Sequence, residues 1–165
     1  MKELYHTSPK KIESIYPSEW FGRNLFFASQ PYYMSNASKE IYKIKIYQLE
    51  TIESSDLFNH KESCNLEELV KEFAEEIEES TGIEYDLEII RGLIDGSECA
   101  HDIIEYDCDY AYEKVSSISF RQQYFACECA KVLGYIGVEL RDEQGTAYLI
   151  DADFALKIAE HQEEE

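Results

Sequence analysis

The chain has 165 residues, 44% of them apolar, which is enough to bury a core and fits one domain or one domain with an insertion. Its 35 acidic and 15 basic side chains give a formal charge of −20, a field that repels a polyanion such as DNA and steers toward basic protein surfaces, besides keeping the chain dissolved. No run reaches the roughly 18 to 20 apolar residues of a membrane span, and the opening Met1 to His6 lacks the apolar stretch of a signal peptide, so the expected location is the bacterial cytoplasm.

Residues Glu3 to Thr7 read as a short strand, followed by Ser8-Pro9 and a brief stretch in which Ile12 and Ile15 share a face. A loop from Pro17 to Asn24 carries the only tryptophan and leads into a second strand, Leu25 to Ala28. Pro31 suits the first turn of a helix through Tyr33 to Ala37. Tyr42, Ile44 and Ile46 then alternate with Lys43, Lys45 and Tyr47 as in a half-exposed strand. From Asn65 the period changes. Leu66, Leu69, Val70, Phe73 and Ile77 fall on one helical face, with Asn65 suited to cap the start and Gly82 to close the end. The opposite face, rich in glutamate from Glu67 to Glu79, reads as solvated.

The segment Glu84 to Tyr112 has helical spacing at Leu87, Ile90, Leu93 and Ile94 before an acidic, aromatic stretch, and reads as an insertion that adapts the domain to a partner. Ser119 opens a further helix, with Phe120, Tyr124, Cys127 and Ala130 at helical spacing and Gly134 at its end. Tyr135 to Leu140 reads as a strand, Arg141 to Gly145 as a hairpin turn and Thr146 to Ile150 as the returning strand, while Glu160 to Glu165 is expected to fray. The five cysteines form no Cys-x-x-Cys pair, and Cys127 and Cys129 diverge on a helix. Reduced structural thiols without a metal are therefore expected.

Three separated segments together resemble the split signature of the ADP-ribosyltransferase fold. Leu4-Tyr5-His6-Thr7-Ser8 is similar to the first-strand motif of the diphtheria-toxin and PARP-like branch, which implies that His6 and Thr7 lie in the nicotinamide pocket of an NAD site. Thr7 stands where that branch usually has glycine. Gly22-Arg23-Asn24-Leu25-Phe26-Phe27-Ala28 resembles the strand after the donor loop, which implies a place for Phe27 at the cofactor and for Tyr32 or Tyr33 as the ring stacked on nicotinamide. Gly134-Tyr135-Ile136-Gly137-Val138-Glu139-Leu140-Arg141-Asp142-Glu143-Gln144-Gly145-Thr146 looks like the C-terminal motif of a phage anti-CRISPR family of ADP-ribosyltransferases acting on type I-F systems. Asp142 matches the acidic position that this family uses for catalysis, with Glu139 and Glu143 as further candidates. An aspartate in a hairpin turn is otherwise an ordinary turn residue.

The resemblance implies an α+β architecture in which two small packed sheets form an NAD cleft with helices around them. It also implies one domain over 1–165, with a variable acidic helical middle at about 50–118. The implied activity is mono-ADP-ribosylation, from NAD and without a metal, of a Cas subunit near its PAM-recognising surface. Two rivals share the composition: a non-catalytic acidic DNA mimic that blocks a basic groove, and a toxin-like transferase with another protein target.

Overall fold

The computed structural model describes residues 1–33, 40–104, 111–142 and 145–163. Among these residues, seven strands form one mixed sheet: β1 (Lys2–Ser8), β2 (Asn24–Ala28), β3 (Glu40–Ile46), β4 (Thr51–Glu53), β5 (Gly137–Asp142), β6 (Gly145–Asp151) and β7 (Glu160–Glu163), in the order β4-β5-β6-β2-β1-β3-β7. Only β4 and β5 run parallel; the other neighbours are antiparallel. Among the described residues, five α-helices complete the α+β fold: α1 (Glu67–Thr81), α2 (Leu87–Asp95), α3 (Ala100–Ile103), α4 (Ala111–Val132) and α5 (Ala152–Ile158).

The two expected sheets are thus one hydrogen-bonded sheet, and the reason lies at its centre. Whereas β1 pairs with β3 along its whole length, β1 and β2 share the single register pair Tyr5↔Ala28. That one pair continues the ladder between two halves, β4-β5-β6-β2 and β1-β3-β7, while leaving the rest of the junction open.

Strand alternation divides the core between the sheet's faces. Val138 and Leu149 point to one side, beneath Val70, Phe73 and Ile77 of α1, Ile90, Leu93 and Ile94 of α2, and Phe125, Ala126 and Ala130 of α4. Leu4, Phe27, Ile44, Ile46, Tyr148 and Ile150 fill the other side against Ala155 of α5. Arginines fasten the acidic helix: Glu67 pairs with Arg91 and Glu76 with Arg121, each at 2.7 Å, so the glutamate face is not wholly solvated.

Several boundaries differ from the sequence reading. Asn65 does not cap α1, because residues Ser63–Leu66 already turn as a 3-10 helix and Leu66 takes the cap position. Gly82 does close it, at φ 73°, donating its N–H to the Glu78 carbonyl at 2.7 Å. Helix α4 starts at Ala111 rather than Ser119, since Val115 and Ile118 extend its apolar stripe into the core. Residues 31–33 have no regular structure, and the remainder of the helix expected from Pro31 lies outside the described residues.

Glu160–Glu163 does not fray; it pairs with β3, where His161 stacks on Tyr42 at 4.8 Å and Lys45 approaches Glu160. The hairpin strand reaches Asp142, which pairs in register with Gly145. Among the described residues, no helix is long and apolar enough to cross a membrane. Cys127 and Cys129 are buried thiols; burial pushes Cys129 up to about 12 and Cys127 higher still, so both stay protonated and inert. Cys64 and Cys99 are exposed and unpaired, and Cys108 lies outside the described residues.

Candidate active site

A cleft of about 1090 Å³ opens along the junction between the sheet's halves. Strand β1 contributes Tyr5, His6 and Thr7, and β2 with its following loop contributes residues 25–32. The β5–β6 hairpin gives Leu140, Arg141 and residues 145–147, and α4 gives Gln122 and Gln123.

His6 lies beside Phe27, their ring centroids 5.6 Å apart, and its Nδ1 lies 2.8 Å from the Phe26 carbonyl. A carbonyl only accepts, so Nδ1 carries the proton and Nε2 keeps a lone pair for a donor. Burial holds the imidazole below its ordinary value despite that carbonyl contact, so the neutral ring is the form present near pH 7. Thr7 donates its hydroxyl to the Tyr32 carbonyl, tying the loop after β2 to the first strand. Tyr32 is 60% exposed and borders the cleft; Tyr33 is 42% exposed and is not among the described lining residues. Of the two tyrosines, Tyr32 is the one found among the described lining residues. Phe27 also borders the cleft, but it is only 1% exposed and packed in the core on the α5 side. Its ring is not presented to a ligand.

Glu139 is not brought to the cleft. Val138 takes the helical face of β5, so alternation turns Glu139 the other way. There its Oε1 accepts from Lys2 Nζ at 2.9 Å and from Thr51 Oγ1 at 2.6 Å, with 12% of the side chain exposed. Asp142 ends the strand opposite Gly145, directly beside the lining residues Arg141 and Gly145. Glu143 lies outside the described residues.

The loop before β2 forms a further wall through Ser18 and Phe21. Its ends bridge at Ser18↔Gly22, and Arg121 of α4 reaches the Glu19 and Trp20 carbonyls at 3.3 Å while its guanidinium holds Glu76. Gly22 sits at φ 58°, with the Tyr124 ring 2.7 Å from where a Cβ would be. Phe21 packs edge-on against Phe26. Sequence reasoning missed this clamp and the α4 side of the cleft; the signal available for the latter was the Gln122-Gln123 pair interrupting an apolar helical stripe.

Electrostatically the cleft departs from the rest of the molecule. In a chain with 35 acidic residues, no carboxylate is among the described residues that line it. Arg141 is there, paired with Glu53 at 2.8 Å at the rim. Among the described residues the lining is made of hydroxyls, amides and aromatic rings with Arg141, which suits a ligand that is itself anionic and rich in hydrogen-bonding groups.

No curated protein matches the chain. A solved structure described as the crystal structure of an anti-CRISPR protein is similar to it at 18% identity and a TM-score of 0.48, covering 97% of this chain and 93% of that one. A family model described as anti-CRISPR type I-F ADP-ribosyltransferase AcrIF11 matches residues 3–159. The match takes in the first strand, the cleft and the hairpin with Asp142, and the chain belongs to this family of type I-F anti-CRISPR ADP-ribosyltransferases.

Proposed function

We propose that the protein transfers a single ADP-ribose from NAD to a Cas subunit of the type I-F surveillance complex, at or near its PAM-recognising surface, and so prevents the complex from engaging DNA. The observation that carries this reading is the cleft without described carboxylates in a chain of charge −20, bordered by the strand end that bears Asp142. A dinucleotide brings a pyrophosphate, and a carboxylate-lined cleft would repel it.

In this reading the neutral His6 uses its free Nε2 to accept from a ribose hydroxyl, Thr7 fixes the loop that presents Tyr32, and the Tyr32 ring stacks on nicotinamide. Asp142 is the catalytic carboxylate. As the bond between ribose C1 and the nicotinamide nitrogen breaks, the electron pair leaves with nicotinamide and positive charge develops on the ribose. A fixed carboxylate lowers that barrier and takes the proton of the attacking acceptor group as its new bond to C1 forms. Glu139 has no part in this; it anchors Lys2 and Thr51. We read residues 1–165 as one domain acting in the host cytoplasm, with the acidic middle at about 50–118 facing the basic target.

The test is intact-mass spectrometry of a purified type I-F complex incubated with catalytic amounts of the protein, with and without NAD. The expected result is an NAD-dependent gain of one ADP-ribose on a Cas subunit. An unmodified complex that is nonetheless blocked by stoichiometric protein favours the acidic DNA mimic instead. Neither modification nor blockade would point to a transferase with another target.

A further inference from the structure

Helix α4 carries two adjacent carboxamides where its buried stripe should be apolar. Toward its C-terminal end that stripe is Ala126, Cys127, Cys129 and Ala130, all fully buried, and the Cys127 thiol donates to the Leu149 carbonyl at 3.2 Å. One turn earlier the same face holds Gln122 and Gln123, four residues before Ala126 and Cys127. Both are half-buried and both border the cleft. Among the described residues, neither side chain has a hydrogen-bond partner, and no buried side-chain nitrogen or oxygen is left unsatisfied. Their amides therefore reach the water of the cleft. Burying a carboxamide against apolar neighbours without a partner is costly, so a purely structural stripe favours Leu or Ala at these positions. The apolar stripe that runs from Val115 and Ile118 to Phe125 and Ala126 is interrupted by these amides where α4 borders the cleft.

The register locates these amides relative to the catalytic strand. Leu149, beneath Cys127, pairs with Val138 of β5. The chain turns back from α4 into β5 through the Tyr135 N–H to Ala130 carbonyl bond, so the helix and β5 run in opposite directions. One turn back along α4, about 5.4 Å, matches nearly two residues forward along β5. That step leads from the Val138–Leu149 pair to the Leu140–Ala147 pair, and both members of the latter border the cleft. Asp142 follows two residues later on the same strand.

We propose that Gln123, with Gln122 beside it, binds the carboxamide of the nicotinamide end of the donor. This rests on the reading of the cleft as an NAD site. The nicotinamide must lie near the catalytic carboxylate because the bond that breaks is its own. A primary carboxamide offers one acceptor and a donor pair, which a glutamine side chain can meet with its own complementary set. Being uncharged at every pH, glutamine does this without adding a carboxylate to the cleft.

The test is calorimetric titration of the full chain and of Gln123→Met with NAD and with ADP-ribose, which lacks nicotinamide, alongside thermal melts. Gln123→Met is expected to weaken NAD binding roughly 10-fold, the size of one lost hydrogen bond to a desolvated group, with ADP-ribose affinity and melting temperature unchanged. Gln123→Leu removes the amide without adding charge, and is expected to show the same selective loss; it serves if the methionine variant does not fold. Equal weakening toward both ligands, or no weakening toward either, overturns the assignment. A wild-type chain that binds neither ligand overturns the donor-site reading itself.

Discussion

Two carboxylates three residues apart on one strand, Asp142 and Glu139, are both candidates in the sequence, and the strand assigns them different surroundings. Glu139 is held by Lys2 and Thr51 away from the cleft, while Asp142 ends β5 beside cleft-lining residues. We expect Asp142→Asn to lower transfer by about 10²-fold or more with NAD affinity retained, whereas Glu139→Gln keeps transfer within about threefold, as steady-state assays of ADP-ribose incorporation would read. A reversed pattern would return catalysis to Glu139. His6 offers a second measurement. Its folded-state value lies below the ordinary 6.5 because of burial, so below that pH the unfolded chain binds the proton more readily than the folded one. The stability contributed by keeping His6 neutral is present above about pH 6.5 and declines as pH falls toward the folded value. Denaturant titrations from pH 7 to 5 should give a shallower loss of stability in His6→Gln than in the parent chain. Equal slopes would mean that the ring is not buried as described.

At the scale of elements, the loop from Ser18 to Gly22 and helix α4 form one wall of the cleft because Arg121 and Gly22 lock them together. A side chain at position 22 meets both a left-handed backbone and the Tyr124 ring. Gly22→Ala is therefore expected to cost about 1–3 kcal/mol of stability and to weaken NAD binding by displacing Phe21, checked by thermal melts and calorimetry. Unchanged values for both would show that the loop has room to move. The clamp was not legible in the sequence because Gly22, Arg121 and Tyr124 make sense only once the loop and helix touch. Helix α1, in contrast, was read almost completely from Leu66, Val70, Phe73 and Ile77, since a periodic stripe records its own burial. Strand β7 was missed because its sequence is charged; its pairing depends on the lysines and Tyr42 of a strand far away in the chain.

For the whole molecule, the relation between a −20 surface and a cleft without described carboxylates separates two tasks. On the proposed reading, the exterior field attracts a basic target, and the interior admits an anionic donor. Association with the surveillance complex should slow by roughly 10-fold or more between low and moderately high salt, while NAD affinity changes much less; stopped-flow association and calorimetry over the same salt series would test this. An NAD affinity as salt-sensitive as the association would tie both steps to the same exterior charge.

Composition, helical periodicity and the motifs at the two ends of the chain were enough to indicate the α+β fold class and the acidity, because each is a local property of the chain. Which residues share the cleft was decided by tertiary structure alone. Strand alternation removed Glu139, core packing took the Phe27 ring, the Thr7 hydrogen bond tied Tyr32 to the first strand, and the crossing of α4 over the hairpin brought in Gln122 and Gln123. The physical reason is that a sequence specifies the period of each element, whereas the direction in which a given side chain finally points depends on which faces the sheet and helices bury against one another.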